Sequence, residues 1–324
     1  MTDDSTDGGG RAASGTAAGP AVLVFAYHDV GYVCLEELLR RDARAVALIT
    51  HEDDPKENRW FRSVTELAQK HGIPVYKPDS VNSEEWLLRI RALRPDVIFS
   101  FYYRHLIPET ILKLPRLGAF NLHGSLLPKY RGRVPINWAI IHGETQTGAT
   151  LHHMVAKPDA GDIVDQQAVP IGPMETAREV FDKVAAAARQ IVARQWDNIK
   201  SGKAPRIPQD PTQASYYSGR KPEDGRIDWR RSAREIFNLV RAVTHPYPGA
   251  FTELNGRRLF IWWALPQRED SSGQPGEVVS AAPLRVATGQ GSLEVLRLQW
   301  ADGEEQDAAT AGFKLGQVLG TPPK

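Results

Sequence analysis

The stretch that decides the fold is Ala-Val-Leu-Val-Phe-Ala-Tyr at residues 21–27. This run is apolar throughout and shows no alternation of polar and apolar side chains, which is typical of a strand covered on both faces of a sheet. Residues 31–41 follow with apolar side chains at helical spacing, and residues 45–50 form a second apolar run. The succession predicts a β-α-β unit in which the first strand is central.

The same alternation continues to residue 201. It predicts an α/β fold with a doubly wound, mostly parallel sheet, whose ligands bind beyond the carboxyl ends of the strands. We predict further helices at 59–71, at 83–93 with Ser83 as the N-cap, just after Pro108 and at 175–201, and further strands at 73–76, 96–102, 118–123, 149–155 and 162–170.

The composition divides the chain into four parts. Residues 1–20 contain few large apolar side chains and are expected to be a disordered tail. Residues 21–204 are expected to form the larger domain, and residues 205–225, rich in Pro and Gly, a linker. Residues 226–320 are expected to form a smaller β-barrel-like domain of the OB type, with one helix at 232–243 and short strands at 250–254, 259–264, 276–280, 284–288 and 292–299.

Charge and composition limit the possible functions. The 324 residues include 40 Lys and Arg against 39 Asp and Glu, a formal charge of +1, so the chain lacks the basic excess of a dedicated nucleic-acid binder. The one cysteine, Cys34, excludes an intrachain disulfide, and its apolar neighbours favour a packed thiol over a nucleophile. The sequence shows no secretory signal and no run of about 20 apolar residues, so we expect a cytoplasmic protein without membrane insertion.

An amide and an imidazole occur two positions apart at the end of the predicted strand 118–123. Because the side-chain period of a strand is two, Asn121 and His123 are expected to project from one face. Asp159 lies on a loop between two predicted strands and is the best candidate for an accompanying carboxylate. Each residue also has a purely structural interpretation. Asp159 could form a turn, His123 could be a hydrogen-bonded histidine at a strand end, and Asn121 could hold a loop in place by hydrogen bonds.

Several common kinds of site are excluded by missing motifs. No Gly-x-Gly-x-x-Gly follows the first strand and no P-loop motif is present, which argues against dinucleotide and P-loop phosphate binding. Ser125 lacks the Gly-x-Ser-x-Gly context of a hydrolase nucleophile. No metal is expected, because His152 and His153 are neighbours on a predicted strand and face opposite ways, and no His-Glu-x-x-His or Cys-x-x-Cys pairing exists.

Motifs that recur together carry a resemblance to a known family. Asn-Leu-His-Gly-Ser-Leu-Leu-Pro at 121–128, Tyr-Arg-Gly at 130–132 and Asp-Ala-Gly-Asp-Ile at 159–163 resemble the 10-formyltetrahydrofolate-dependent formyltransferases. These enzymes act on methionyl-tRNA, glycinamide ribonucleotide and amino sugars. Residues 25–31 and 96–107 are most similar to the members that formylate UDP-4-amino-4-deoxy-L-arabinose in lipid A modification and polymyxin resistance.

The resemblance implies a formyl transfer with 10-formyltetrahydrofolate as co-substrate and no metal. It implies a catalytic triad of Asn121, His123 and Asp159, and an acceptor site that includes Tyr27 and Arg220, with Arg220 facing the uridine diphosphate. In the family members with this acceptor, a dehydrogenase follows the transferase. The given sequence ends where that dehydrogenase would begin, so we expect a stand-alone transferase. The folate pocket that the resemblance implies consists of His105, Leu106, Ile107, Arg133, Val155, Ala156, Lys157, Pro158 and Asp159.

Three other readings remain open. The acceptor could be a dTDP-linked 4-amino sugar, since the nucleotide base is not legible in the sequence. It could be methionyl-tRNA, although the near-zero net charge counts against a phosphate-binding surface. The chain could also be an inactive nucleotide-sugar or folate binding module, against which the intact triad argues. The sequence does not indicate the oligomeric state, the order of substrate binding, the stereochemistry of the sugar or the source of the amino sugar.

Overall fold

The structure is a computed structural model that describes residues 19–53, 58–267 and 273–320. Most of the predicted tail at 1–20 lies outside the described residues. The helices are α1 (His28–Arg40), α2 (Val64–Lys70), α3 (Glu84–Ala92), α4 (Glu109–Leu112), α5 (Pro135–Ile141), α6 (Ala177–Lys200) and α7 (Ala233–Val243). The strands are β1 (Ala21–Ala26), β2 (Arg44–Ile49), β3 (Val75–Tyr76), β4 (Val97–Phe101), β5 (Ala119–His123), β6 (Arg131–Gly132), β7 (Gln146–His153), β8 (Ile163–Pro170), β9 (Tyr216–Tyr217), β10 (Ala250–Leu254), β11 (Arg257–Gln267), β12 (Val278–Ala281), β13 (Leu284–Ala287), β14 (Ser292–Trp300) and β15 (Glu305–Asp307).

The first sheet has the strand order β3-β2-β1-β4-β5-β7-β8 and is parallel from β3 to β5. Strands β7 and β8 continue it in antiparallel pairing. Val22 and Val24 of β1 belong to the core cluster that includes residues of α1 and α6, whereas Leu23 and Phe25 belong to the opposite cluster with residues of α3 and α4. The first strand is therefore central and covered on both faces, and the predicted doubly wound fold is confirmed.

Hydrogen bonds at the N-caps set where the helices begin. Ser83 Oγ accepts the Trp86 N–H before α3, as predicted. The helix predicted at 59–71 begins instead at Val64, because Ser63 Oγ accepts the Glu66 N–H and caps the first turn there. The residues before this cap do not continue the helix: Arg62, for example, turns its backbone N–H and its guanidinium to Asp29.

Helix α5 was not predicted from the sequence, and it joins the two halves of the molecule. Val134 precedes it with a left-handed backbone (φ 47°), and Pro135 occupies its first turn. Asn137 donates a 2.7 Å hydrogen bond to the Ala242 carbonyl of α7. Arg241 of α7, only 4% exposed, donates to the Glu175 carbonyl at 2.8 Å. The C-terminal half is thus fixed to the first sheet's domain by buried polar contacts.

The C-terminal half is an antiparallel sheet in the order β10-β11-β14-β13-β12, with β15 paired to β14. Short strands at the predicted places are present, but β11 extends to Gln267 and β15 was not predicted. This sheet confirms the expected smaller β-rich C-terminal part of the fold. Within the described ranges, no helix combines the length and the apolar character needed to cross a membrane.

Candidate active site

The candidate site lies at the carboxyl end of β5. Asn121 and His123 project from this strand, and the antiparallel partner β7 places His152 directly opposite Asn121. The connection between β7 and β8 brings Asp159 back to the same place. The three residues that the sequence singled out, Asn121, His123 and Asp159, are therefore brought together, and a second histidine joins them.

The Asp159 carboxylate is surrounded by these side chains. Its Oδ1 atom lies 3.6 Å from His123 Nδ1 and 3.5 Å from both Asn121 Nδ2 and His152 Nε2. These distances are long for hydrogen bonds, so the contacts are mainly electrostatic, and sites without substrate commonly show such loose geometry. Its Oδ2 atom accepts the Gly132 N–H at 2.9 Å. The carboxylate is thus anchored on one oxygen and directed at two imidazoles with the other.

Backbone carbonyls fix which nitrogen of each imidazole faces the site. His123 Nε2 lies 2.7 Å from the Tyr130 carbonyl oxygen, which can only accept, so Nε2 carries a proton. Nδ1 is then the atom that faces Asp159 and can exchange a proton. In the same way His152 Nδ1 donates to the His153 carbonyl, which leaves Nε2 to accept from Asn121 Nδ2 at 3.1 Å.

The electrostatics of this cluster keep Asp159 charged. Burial alone would raise the pKa of the Asp159 carboxyl, but the positive charge of a protonated His123 imidazole and the Gly132 N–H outweigh it and hold the pKa well below its usual value. Asp159 is therefore a carboxylate at neutral pH. It can orient and stabilise a protonated imidazole but does not itself supply a proton.

Strained backbone conformations concentrate at the same edge of the sheet. Asp159 has a left-handed backbone (φ 55°), which Asp tolerates better than most residues. Two positions later, a Cβ at Gly161 would overlap the His153 carbonyl oxygen, so the turn requires glycine. Such strain persists only where the surrounding structure enforces it and is common at functional sites. Other non-glycine residues with positive φ at this edge are His28, Tyr102, Tyr130 and Val134.

The predicted folate-pocket residues lie on three loops around Asp159. In the first loop Ile107 is buried, whereas His105 and Leu106 are exposed. Arg133 of the second loop donates to the Arg104 carbonyl at 3.1 Å and links it to the first. In the third loop, which ends at Asp159, the preceding predicted residues are exposed: Val155, Ala156, Lys157 and Pro158.

One residue that holds the first of these loops was missed by the sequence analysis. His51, just after β2, accepts the Arg104 N–H at 2.9 Å and stacks on His105 with ring centroids 4.7 Å apart. Burial, then the nearby His105 and Arg104, lower the pKa of His51 to about 4, so it remains a neutral acceptor at physiological pH. A histidine following the second predicted strand was the signal that could have indicated it.

The two predicted acceptor residues line different cavities. Arg220 lines a cavity of about 130 Å³ between the two halves of the chain, and its guanidinium lies over Trp138 at 4.9 Å. Its Nη2 atom donates to the Asp224 carbonyl at 2.7 Å. Tyr27 is buried at the end of β1 and lines a much smaller cavity of about 10 Å³, where its hydroxyl binds Asp53. The structure therefore does not bring Tyr27 and Arg220 together.

The other histidines do not form a metal centre. His153 turns away from Asp159 and lies 2.9 Å from the Pro205 carbonyl, on the opposite side of the strand from His152. Among the residues that the structure describes, no group of three or more His, Cys, Asp or Glu side chains is arranged to hold a metal ion.

The α/β domain that carries the site and the C-terminal β domain each match a family model. Residues 21–195 match the family model described as formyl transferase, and residues 220–313 match the model of the formyl transferase C-terminal domain. The chain belongs to the formyl transferase family. The family resemblance noted in the sequence is thereby confirmed.

Solved structures share this fold. HypX from Aquifex aeolicus, in a multiply substituted variant, is 18% identical with a TM-score of 0.62; the alignment covers 93% of this chain but only 49% of HypX, so the chain spans about half of that protein. An N-formyltransferase from Helicobacter canadensis, in complex with folinic acid and dTDP-3-aminofucose, is 18% identical with a TM-score of 0.63, covering 89% and 99% of the two chains. A 4-N formyltransferase from Francisella tularensis is 23% identical with a TM-score of 0.56, covering 70% and 89%. At these identities the likeness establishes the fold alone.

Proposed function

We propose that this enzyme transfers the formyl group of 10-formyltetrahydrofolate to the amine of a nucleotide-linked amino sugar, with UDP-4-amino-4-deoxy-L-arabinose as the acceptor. The observation that carries the proposal is the Asp159 carboxylate held between His123 and His152 beside Asn121. With that acceptor, the reaction belongs to lipid A modification and polymyxin resistance.

The chemistry requires a group that stabilises negative charge and one that moves a proton. A bond forms between the amine nitrogen and the formyl carbon, the bond from that carbon to the folate nitrogen breaks, and the proton lost by the amine goes to the folate nitrogen. The tetrahedral intermediate carries negative charge on the former formyl oxygen. Donors aimed at such an oxyanion commonly contribute about a hundredfold or more to the rate.

The side chains of the site suit both tasks. The Asn121 amide can offer one N–H to the oxyanion, because its other N–H is used by His152 Nε2, which fixes the orientation of the amide. His123 can donate from Nδ1 when protonated, because Nε2 is engaged by the Tyr130 carbonyl. Asp159 stabilises the protonated imidazole and keeps its ring oriented. His123 can then pass a proton from the acceptor amine to the folate nitrogen.

The cavity at Arg220 is the proposed place for the diphosphate of the acceptor. A guanidinium presents several N–H donors in one plane and suits a doubly charged phosphate group. Lys221 lines the same cavity and adds a second positive charge. At about 130 Å³ the cavity takes part of a nucleotide sugar, and the remainder extends from it.

A dTDP-linked amino sugar is the second candidate, because the Helicobacter canadensis neighbour binds dTDP-3-aminofucose in its structure. Mass spectrometry can separate the candidates by detecting a formyl group added to UDP- and dTDP-linked 3- and 4-amino sugars, and to charged methionyl-tRNA, with 10-formyltetrahydrofolate present. We expect UDP-4-amino-4-deoxy-L-arabinose to be formylated with the highest kcat/KM. Preferential formylation of a dTDP sugar would show that the acceptor is a dTDP-linked instead of a UDP-linked amino sugar. Formylation of tRNA alone would overturn the assignment of a sugar acceptor.

A further inference from the structure

We propose that Gln209 is a positioning residue for the transfer, because its amide fixes the turn that carries Asp159 and makes the connector after α6 part of the active site. Gln209 Nε2 donates to the carbonyl oxygens of Asp159 at 2.9 Å and Gly161 at 2.7 Å. Gln209 Oε1 accepts from Arg131 Nε at 3.2 Å and Nη2 at 2.6 Å. The amide thus uses both of its N–H groups and both of its lone pairs.

The turn depends on such external support. Asp159 has a strained left-handed backbone, and a turn that tight cannot pair its own carbonyls as a helix or sheet does. The connector runs beside it, because Ile207 and Ile163 exchange backbone hydrogen bonds of 2.9 and 2.8 Å just before Gln209. Gln209 then occupies the carbonyls on both sides of Ala160.

Arg131 donates to the Gln209 amide oxygen and directly precedes Gly132, which binds the Asp159 carboxylate. Arg131 is 4% exposed, and its guanidinium also donates to the Tyr216 hydroxyl at 2.7 Å. The next residue, Gly132, donates its N–H to Asp159 Oδ2. Strands β6 and β9 pair in parallel here, so the loop and the connector are joined by backbone as well as by side chains. Asp159 is held at its backbone through Gln209 and at its carboxylate through Gly132.

Loss of the amide would therefore act on the chemical step. The Asp159 contacts to His123 Nδ1 and His152 Nε2 are already 3.6 and 3.5 Å, so a small outward shift of the turn separates them. A misplacement of about 1 Å can cost about a hundredfold in rate. Arg220 contacts Trp138 and the Asp224 carbonyl instead of Gln209, so acceptor binding should be preserved.

Two substitutions separate positioning of Asp159 from bracing of Arg131. Gln209→Ala removes both roles. Gln209→Glu keeps an acceptor for Arg131 but places a carboxylate against two carbonyl oxygens, so it removes only the support of the turn. The matched control is Gln213→Ala, four residues further along the same connector, where the exposed side chain only binds Asp210.

We expect both Gln209 variants to lose about tenfold to a hundredfold in kcat while the KM for the acceptor changes less than about twofold. Gln213→Ala should keep both kinetic parameters and the wild-type melting temperature. A Gln209→Glu protein with wild-type kcat would overturn the proposal and leave Gln209 as a brace for Arg131. Loss of melting temperature without loss of kcat in Gln209→Ala would overturn it in the same way.

The kinetic test rests on the proposed function, because it needs the proposed substrates. A second measurement needs no substrate. In protein with 15N-labelled histidine, the imidazole signals of His123 and His152 should move in both Gln209 variants at neutral pH and stay in place in Gln213→Ala. His123→Asn and His152→Gln identify the two signals. Displaced signals in an enzyme that formylates no sugar would refute the proposed function and retain the positioning role; unmoved signals would refute the positioning role itself.

Discussion

Asn121 and His152 face each other across β5 and β7, with Asn121 Nδ2 3.1 Å from His152 Nε2. The imidazole accepts from the amide because its other nitrogen donates to the His153 carbonyl. His152 therefore determines how the Asn121 amide is turned, and it adds a second imidazole beside Asp159. The candidate triad is thus part of a group of four interacting side chains.

We expect His152→Ala to lower kcat by about a hundredfold, because the Asn121 amide loses its acceptor and Asp159 loses one of its two imidazoles. Steady-state formylation rates with saturating acceptor measure this effect. The adjacent His153→Ala is the matched control, since that side chain faces away and contacts the Pro205 carbonyl. It should lower the melting temperature and leave kcat within about twofold. Equal losses of kcat in the two variants would show that His152 acts only through packing.

Asp159→Asn should reduce kcat by about a hundredfold or more, because the amide keeps the size of the side chain but removes the charge that stabilises a protonated His123. Its effect on stability should depend on pH. The pKa of Asp159 is lowered in the folded state, so the carboxylate contributes stability above the ordinary Asp pKa of about 3.9 and loses it as the pH falls further.

The difference in free energy of unfolding between wild type and Asp159→Asn should therefore be largest from about pH 5 upward and shrink below about pH 4. Urea unfolding at a series of pH values measures it. A difference that stays constant down to pH 3 would contradict the lowered pKa and place Asp159 in a site without charged neighbours.

Much of the fold was accessible from the sequence because it depends on local pattern. The apolar run of β1 indicated a strand covered on both faces, and Ser83 indicated the start of α3. Helix α5 was not accessible: it has seven residues, begins after the left-handed Val134, and is stabilised by contacts such as that of Asn137 with α7. A short helix of this kind depends on tertiary packing more than on its own propensity.

The sequence indicated the residues of the candidate site that lie on one predicted strand or in one recognisable motif. Asn121 and His123 share a face by strand periodicity. Asp159 was the best carboxylate candidate from its loop between two predicted strands, and the family resemblance gave it a role. His152 was missed because its role depends on the register of β5 and β7, which residue patterns do not specify. Gln209 was assigned to a linker because the segment around it is rich in Pro and Gly. That composition does not indicate the two carbonyl groups to which the Gln209 side chain donates.

Arg220→Ala should raise the KM for the sugar nucleotide by about tenfold to a hundredfold, the effect of one charge-assisted hydrogen bond to a phosphate. Arg220 is not one of the predicted folate residues, so the KM for 10-formyltetrahydrofolate should change less than the KM for the sugar nucleotide. Arg220→Lys should recover part of the loss, since it restores the charge without the planar fork. Arg230→Ala, an exposed arginine paired with Asp228, is the control and should have no effect on KM. An unchanged KM in Arg220→Ala would exclude this cavity as the diphosphate site.

His28 should make the protein sensitive to acid. It lies at the end of β1, stacked on Phe61 at 4.0 Å and near Trp60, with Nδ1 buried and unpartnered within the described residues. Burial lowers the pKa of His28 to about 3, against the partial opposition of Asp29. Between about pH 6.5 and pH 3 the unfolded chain binds a proton that the folded chain does not, so the free energy of unfolding falls by roughly 1.4 kcal/mol for each unit of pH.

His28→Asn removes this titration and keeps a residue that tolerates the left-handed backbone at this position (φ 64°). Its free energy of unfolding, measured by urea denaturation, should fall less steeply than that of the wild type from pH 6.5 to pH 4 and parallel it above pH 7. The absolute stability of the variant can differ, because a shorter side chain leaves space beside Phe61, but the slope with pH is set by proton binding alone. Identical slopes for the two proteins between pH 6.5 and pH 4 would show that His28 takes up its proton in the folded state and that its burial does not limit acid stability.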